Sequence, residues 1–166
     1  MNNLIFEYVI TDEKIKTIES LAKTIWHEHY SSLLSNDQIN YMLDKFQSYN
    51  SLKNSIDNDG YNYYLLNFNN NYAGYIGIKK EDSKLFLSKL YILKEFRNKG
   101  LGKKSFNFLK SICQTENLST IYLTVNKYNS SSIEVYNTIG FKTVDSVVSS
   151  IGHNYVMDDF IMELSL

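Results

Sequence analysis

Lys89 to Leu93 is an apolar, strand-like run, and Ser105 to Cys113 is an apolar helical pattern. Between them lies Arg97-Asn98-Lys99-Gly100-Leu101-Gly102-Lys103-Lys104. That succession suits an anion. The first four N–H groups of a helix lack intrahelical partners, and the aligned peptide dipoles add roughly half a positive charge at that end. A phosphate satisfies both. Gly100 and Gly102 have no Cβ, so the backbone can approach a bulky anion, while Arg97, Lys99, Lys103 and Lys104 surround it with charge. The expected ligand carries a phosphate or pyrophosphate.

Two nucleotide motifs fit this stretch poorly. A nucleoside-triphosphate loop needs Gly-Lys followed at once by Ser or Thr, with another Gly five residues before the second Gly; Lys104 and Arg97 occupy those places. A dinucleotide fingerprint needs a third Gly where Ser105 stands.

The composition narrows the context. The chain has 166 residues, which fits one domain spanning residues 1–166, and its net charge is −1, so the basic cluster around Arg97 is local. A nucleic-acid binder could use Lys94, Arg97, Lys99, Lys103, Lys104 and Lys110 with Phe96, Phe106 and Phe108. The net charge opposes that, and the aromatics fit a helix core. The single cysteine, Cys113, cannot form an internal disulfide and reads as a buried thiol. No apolar run approaches the about 20 residues of a membrane span, and Met1-Asn2-Asn3-Leu4 has no signal-peptide character, so a cytoplasmic protein is expected. His27, His29 and His153 have no metal-ligand spacing, and no metal is expected.

These residues need a frame. Leu4 to Ile10 reads as a strand. Thr11 then opens a helix to about Tyr30, whose Ile15, Ile18, Leu21, Ala22, Ile25 and Trp26 recur at helical spacing. Ser35 or Asn36 caps a second helix with Ile39, Met42, Leu43 and Phe46, and a short third piece covers Ser51 to Ile56. Tyr61 to Phe68 and Tyr72 to Ile78 form a hairpin across Asn69-Asn70-Asn71. A strand from Leu85 to Leu93 reaches the glycine loop. After it come a helix from Gly100 to Asn117, a strand from Thr120 to Val125, a helix from Ser130 to Ile139, and strands Phe141 to Val148 and Tyr155 to Leu164.

In this order, Leu90-Tyr91-Ile92 before the loop, Arg97-x-x-Gly100-x-Gly102 within it, then Asn129, Ile133, Tyr136 and Gly140-Phe141, resemble the GNAT family, the GCN5-related N-acetyltransferases. The ending from Ile151 to Met162 is similar to a branch that includes bacterial spermidine/spermine acetyltransferases. The resemblance implies an α/β fold: one mixed, mostly antiparallel twisted sheet of six to seven strands, about four flanking helices, and a splayed parallel strand pair holding acetyl-CoA. It implies donor contacts at Leu90, Tyr91, Ile92, Arg97, Asn98, Lys99, Gly100, Leu101, Gly102, Lys103, Asn129, Ser132 and Tyr136. The pyrophosphate would lie on the amides of Arg97 to Lys103 and the pantetheine arm along the backbone of Leu90, Tyr91 and Ile92, like an added strand. Asn98 stands where the family often has Gly, Lys94 where it has Pro, and Ser132 where it has Ala.

The implied reaction moves the acetyl group to a primary amine of a small molecule, such as a polyamine, by direct attack on the thioester. A protein or peptide amine and a noncatalytic acyl-CoA-binding module are the alternatives. Homodimers through terminal strands are common among relatives. The analogy makes Tyr136 the proton donor to the leaving thiolate and the Ile92 amide a one-donor oxyanion hole. Many members carry a basic Glu on the strand before the loop, but Leu85 to Leu93 holds Ser88 and Lys89 and no carboxylate. Glu28 becomes the leading candidate for the base, against the simpler reading of a solvated helix flank. Asp158 and Asp159 alternate across the last strand, so one could meet substrate; a charged strand edge that resists pairing is the competing reading.

Overall fold

The computed structural model describes residues 2–166. In chain order the elements are β1 (Leu4–Tyr8), α1 (Asp12–Tyr30), α2 (Asn36–Gln47), α3 (Tyr49–Asn58), β2 (Tyr61–Phe68), β3 (Asn71–Glu81), β4 (Lys84–Ile92), α4 (Leu101–Glu116), β5 (Thr120–Asn126), α5 (Ser130–Ile139), β6 (Lys142–Gly152) and β7 (Tyr155–Ser165). A 3-10 turn at Lys94–Phe96 precedes the glycine loop. The strands form one sheet in the order β1-β2-β3-β4-β5-β7-β6. Every neighbouring pair is antiparallel except β4 and β5. This is the mixed α/β sheet expected, with five α-helices where about four were anticipated. No helix among the described residues is long and apolar enough to cross a membrane.

Helices cover both faces. On one, α1 buries Ile15, Ile18, Ala22, Ile25 and Trp26 against Ile39, Met42 and Leu52 of α2 and α3 and Tyr63, Leu65 and Tyr75 of the sheet. On the other, Phe106, Leu109 and Cys113 of α4 pack on Ile76, Leu85, Leu87, Ile121, Leu123 and Met162. Thr11 caps α1, its side chain accepting the Lys14 amide at 3.3 Å. Inside the first layer the Trp26 indole donates to the Tyr75 hydroxyl at 3.0 Å, and that hydroxyl donates to Gln47 Oε1 at 2.8 Å. These two bonds tie α1 and α2 to β3 and satisfy three polar groups away from water.

Several boundaries move. β1 stops at Tyr8, short of the expected Ile10, because the chain must turn into the Thr11 cap; Ile10 is 71% exposed. The third helix is longer than its apolar residues suggested, since the Ser48 side chain accepts the Ser51 amide and starts it early. β6 runs past Val148 to Gly152 because β7 supplies its ladder; β6 is the sheet edge and almost wholly exposed. The charged-edge reading of Asp158 and Asp159 is therefore overturned: β7 lies between β5 and β6.

One departure from regular pairing sets up the site. On β3 the residues Gly77 and Ile78 face Lys89 and Leu87, so Ser88 is an extra residue in β4. Such a bulge reverses the alternation of side chains beyond it. Leu85 and Leu87 point to the α4 layer, Leu90 and Ile92 also do, and Tyr91 packs with the α1 layer.

Gly74 of β3 holds this stretch in place, because a Cβ built there would lie 2.0 Å from the Tyr91 carbonyl oxygen. Gly74→Ala is expected to destabilise the protein by about 1–3 kcal/mol in urea unfolding and to weaken donor binding, since β4 must give way. An unchanged midpoint and unchanged acetyl-CoA affinity would show that the contact relaxes freely.

Candidate functional site

β4 and β5 pair over only three positions, Lys84 with Thr120, Leu85 with Ile121 and Phe86 with Tyr122. Beyond these the strands separate, β4 staying bonded to β3 and β5 to β7. Backbone groups of a strand point alternately to its two edges. The Leu93 amide donates to the Ala73 carbonyl at 2.8 Å, so Leu93, Tyr91 and Lys89 address β3 while Ile92 and Leu90 address the gap. Arg97 Nε donates to the Ile92 carbonyl at 3.0 Å. The Ile92 N–H and both backbone groups of Leu90 remain on the open edge. Tyr91 was expected to contribute its backbone there; instead its side chain reaches the cleft from the other layer.

The gap opens into a cleft of about 1330 Å³ that runs from the glycine loop, between α4 and α5, to the aromatic face of α1. Of the predicted loop residues, Arg97, Asn98, Gly102 and Lys103 border it. Lys99, Gly100 and Leu101 lie outside that lining: Leu101 is buried against Phe68 and Ala73 and anchors the turn. Gly100 takes φ 77° and Asn98 φ 61°, left-handed conformations that Gly and Asn tolerate best, so Asn does the work Gly would do at position 98. The Arg97 amide is spent on Lys94 O at 3.2 Å, so Arg97 contributes its side chain. The helix ladder starts with Lys104 N donating to Gly100 O at 3.1 Å, leaving the preceding amides of α4 without intrahelical partners. A Cβ on Gly100 or Gly102 would meet nothing within 4 Å. Free amides, open space above two glycines and the Arg97 and Lys103 cations suit the pyrophosphate of a CoA thioester.

Asn129 locks the start of α5. Its Oδ1 accepts the Ser132 amide and the Ser131 hydroxyl, each at 3.3 Å, and its Nδ2 lies 3.0 Å from His29 Nε2. With Oδ1 accepting, Nδ2 donates, which places the His29 proton on Nδ1. Burial and then the Arg97 charge push the His29 imidazolium down, so the ring stays neutral. Asn129 and Ser132 both border the cleft and work chiefly as the cap that joins α5 to α1. Tyr136 projects from α5 into the cleft with its ring against Phe106 and Phe141. Burial pushes its hydroxyl up to about 12, so it is protonated at neutral pH and able to donate.

Glu28 does not border this cleft. Its Oε2 accepts the Lys94 amide at 3.0 Å, at the start of the 3-10 turn, and it faces an adjoining cavity of about 250 Å³ that shares His29, Arg97 and Asn129 with the cleft. The acid that does enter the cleft, at the end walled by Trp26, Tyr30 and Tyr91, is Asp159, with Lys89 nearby on β4. Asp159 is buried and its Oδ1 has no hydrogen-bond partner. Burial first, then the Asp158 charge, pushes the Asp159 carboxyl above its usual range, against the opposing effect of Lys89. A charged residue inside an apolar interior strand was the signal for Lys89. For Asp159 the signal was only the alternation along β7. Among the described residues, no three His, Cys, Asp or Glu side chains gather in a metal-holding group.

Comparison with known proteins agrees with this geometry. Residues 22–158 match the family model described as an acetyltransferase (GNAT) domain. An N-acetyltransferase from the pepI 3′ region of Lactobacillus delbrueckii subsp. lactis is 20% identical over 165 residues, 95% of each chain. Among solved structures, the PaiA N-acetyltransferase of Thermoplasma acidophilum, in complex with coenzyme A, superposes with a TM-score of 0.82 at 21% identity over 99% of each chain. Mutant forms of the spermidine/spermine N-acetyltransferase SpeG of Vibrio cholerae give 0.68 at 15% identity, over 98% of this chain and 93% of theirs. With its split parallel strands, glycine-loop cradle and cleft tyrosine, the chain belongs to the GNAT family of acetyl-CoA-dependent N-acetyltransferases.

Proposed function

We propose that this protein acetylates the amine of a small molecule seated between α1, α2 and the cleft ends of β4 and β7. The observation that carries this reading is the closure of that end. Tyr41 Oη and Lys45 Nζ of α2 both donate to the Ile151 carbonyl, at 2.6 and 2.5 Å, strapping α2 to the β6–β7 hairpin. Met42 and Phe46 of the strapped helix then wall the cleft opposite Tyr91. A folded protein surface or an extended peptide would need an open groove there.

An alkylamine of pKa about 10.4 is neutral in only about one molecule in 2,500 at pH 7, a handicap of roughly 4.6 kcal/mol. Asp159 holds the ammonium and takes its proton, and the raised affinity of its carboxyl for a proton helps that transfer. The nitrogen forms a bond to the thioester carbon. The Ile92 N–H on the open edge of β4 stabilises the charge that gathers on the carbonyl oxygen. As the carbon–sulfur bond breaks, the Tyr136 hydroxyl gives its proton to sulfur; the new amide nitrogen then sheds its second proton to the Tyr136 phenolate, and Asp159 releases the first to solvent. Arg97, Lys103 and the α4 amides fix the far end of the donor.

The branch similarity suggests a polyamine acceptor, but a polyamine asks for several carboxylates. At the acceptor end Asp159 is the only one bordering the cleft among the described residues; Glu134, the other acid on the lining, sits on α5. One ammonium on an apolar or aromatic body fits better.

Thiol release from acetyl-CoA with an accepting amine tests the reading. Tyr136→Phe should lower kcat by about 100-fold or more with little change in donor affinity. Equal kcat would reduce Tyr136 to a packing residue. The pH profile gives a separate check. Asp159 must be ionised to take a proton, so kcat/KM should climb as pH rises through its elevated pKa, and Asp159→Asn should lose that limb together with most activity. A variant that keeps the wild-type limb would assign the base elsewhere.

A further inference from the structure

Lys89 and Asp159 come together from distant parts of the chain by strand parity. The Ser88 bulge sends Lys89 to the same face as Tyr91, toward α1. On β7, Asp159 shares the face of Tyr155 and Met157, which pack with that layer, while Asp158 faces away and pairs with Lys127 at 2.8 Å. Both Lys89 and Asp159 border the acceptor end of the cleft.

Neither has a full set of partners. Lys89 Nζ bonds only to its neighbour, to Ser88 O at 3.2 Å and Ser88 Oγ at 3.0 Å, and among the described residues it forms no ion pair. Asp159, 8% exposed, leaves Oδ1 buried and unbonded. Burial pushes the Lys89 ammonium down to about 8, with the Asp159 charge opposing. The two groups sense one another across the cleft without closing into a salt bridge. Keeping two half-desolvated, unpaired charges in a folded protein is costly unless a ligand completes them.

We propose that the acceptor is a zwitterion of the amino-acid type, whose ammonium is held by Asp159 and whose carboxylate is held by Lys89. The inference rests on the acetyl-transfer reading above and narrows it. A polyamine would bring a second cation against Lys89, and a simple amine would leave Lys89 unpaired. An amino acid supplies both missing partners in one molecule, an ammonium for Asp159 and a carboxylate for Lys89. Its side chain then falls among Trp26, Tyr30, Met42 and Phe46, so an apolar or aromatic amino acid is the best match. Lys89 also directly precedes Leu90, so the acceptor carboxylate is held beside the open β4 edge along which an extended donor would lie.

The test uses matched pairs: phenylalanine with phenethylamine, leucine with isoamylamine, and spermidine as the polyamine. The chain has one tryptophan, Trp26, and it lines the cleft, so its fluorescence reads occupancy of the protein–CoA complex independently of turnover. In at least one pair the amino acid should exceed its decarboxylated amine in kcat/KM by about tenfold or more, the worth of a charge-assisted hydrogen bond. Lys89→Met should erase that advantage, read as the ratio of kcat/KM for the amino acid to that for its amine within the same variant, and Lys89→Arg should keep part of it. Amines or spermidine used as well as the amino acids, or a Lys89→Met variant with the same preference, would overturn the zwitterion inference and leave acetyl transfer standing. Lys89-dependent amino-acid binding by fluorescence with no thiol release would support the zwitterion site and defeat the transfer reading. Absence of both binding and turnover for every amino acid tested would overturn the inference.

Discussion

A parallel strand pair that comes apart after three residues leaves main-chain donors and acceptors in the middle of a sheet, where each lost hydrogen bond is expensive. The other elements can be understood as answers to that problem. β3 and β7 hold the outer edges of β4 and β5, so the strands stay in one sheet although they no longer bond to each other. Arg97 satisfies the Ile92 carbonyl from the loop that follows. What is left on the edge is a short row of groups around Leu90 and Ile92, complementary to an extended amide-bearing chain such as a pantetheine arm. The glycine loop lies at one end of that row, and the acceptor charges lie at the other.

The Ser88 bulge decides which chemistry meets the gap. In a regular strand Lys89 would share a face with Leu85 and Leu87, and an ammonium would be driven into the apolar layer under α4. One extra residue turns Lys89 and Tyr91 to the α1 side and leaves Leu90 and Ile92 to complete the α4 core. The sequence Leu85-Phe86-Leu87-Ser88-Lys89-Leu90-Tyr91-Ile92 carries this in its pattern: the apolar period of two breaks at Ser88 and resumes one residue late.

The donor half of the site was legible because its determinants are local. Glycines, cations and the strand-to-helix change lie within one continuous stretch, and their roles follow from helix ends and backbone access. The acceptor half was not, because it depends on partners that only the fold brings together. Glu28 looked free on its helix, yet the chain returns 66 residues later to place the Lys94 amide on it. Asp159 looked like an edge charge because nothing in the local pattern shows that β7 inserts between β5 and β6. The 3-10 turn consumes the Arg97 amide, a loss that the local run of glycines and cations does not show. Helix caps at Thr11 and Ser35 read correctly or nearly so, since capping is a short-range matter of side-chain oxygens and nearby amides.

The two ends of the cleft also differ in how they treat charge. The donor end uses solvated cations and helix amides, which attract an anion without asking the protein to bury charge. The acceptor end lies among Trp26, Tyr30 and Tyr91, and there burial raises the Tyr30 hydroxyl to about 12, lowers Lys89 to about 8 and keeps His29 neutral. A low-dielectric wall of this kind amplifies every unmatched charge. On the proposed reading it penalises an acceptor whose charges do not match Asp159 and Lys89 more strongly than it rewards one that fits. The same desolvation brings the ammonium and carboxyl proton affinities closer together, which is the condition under which an amine can lose its proton to an acid residue and become a nucleophile. On the proposed reading, selectivity and activation of the amine have one physical source, the burial of charged groups along the face of α1 that meets the parted strands.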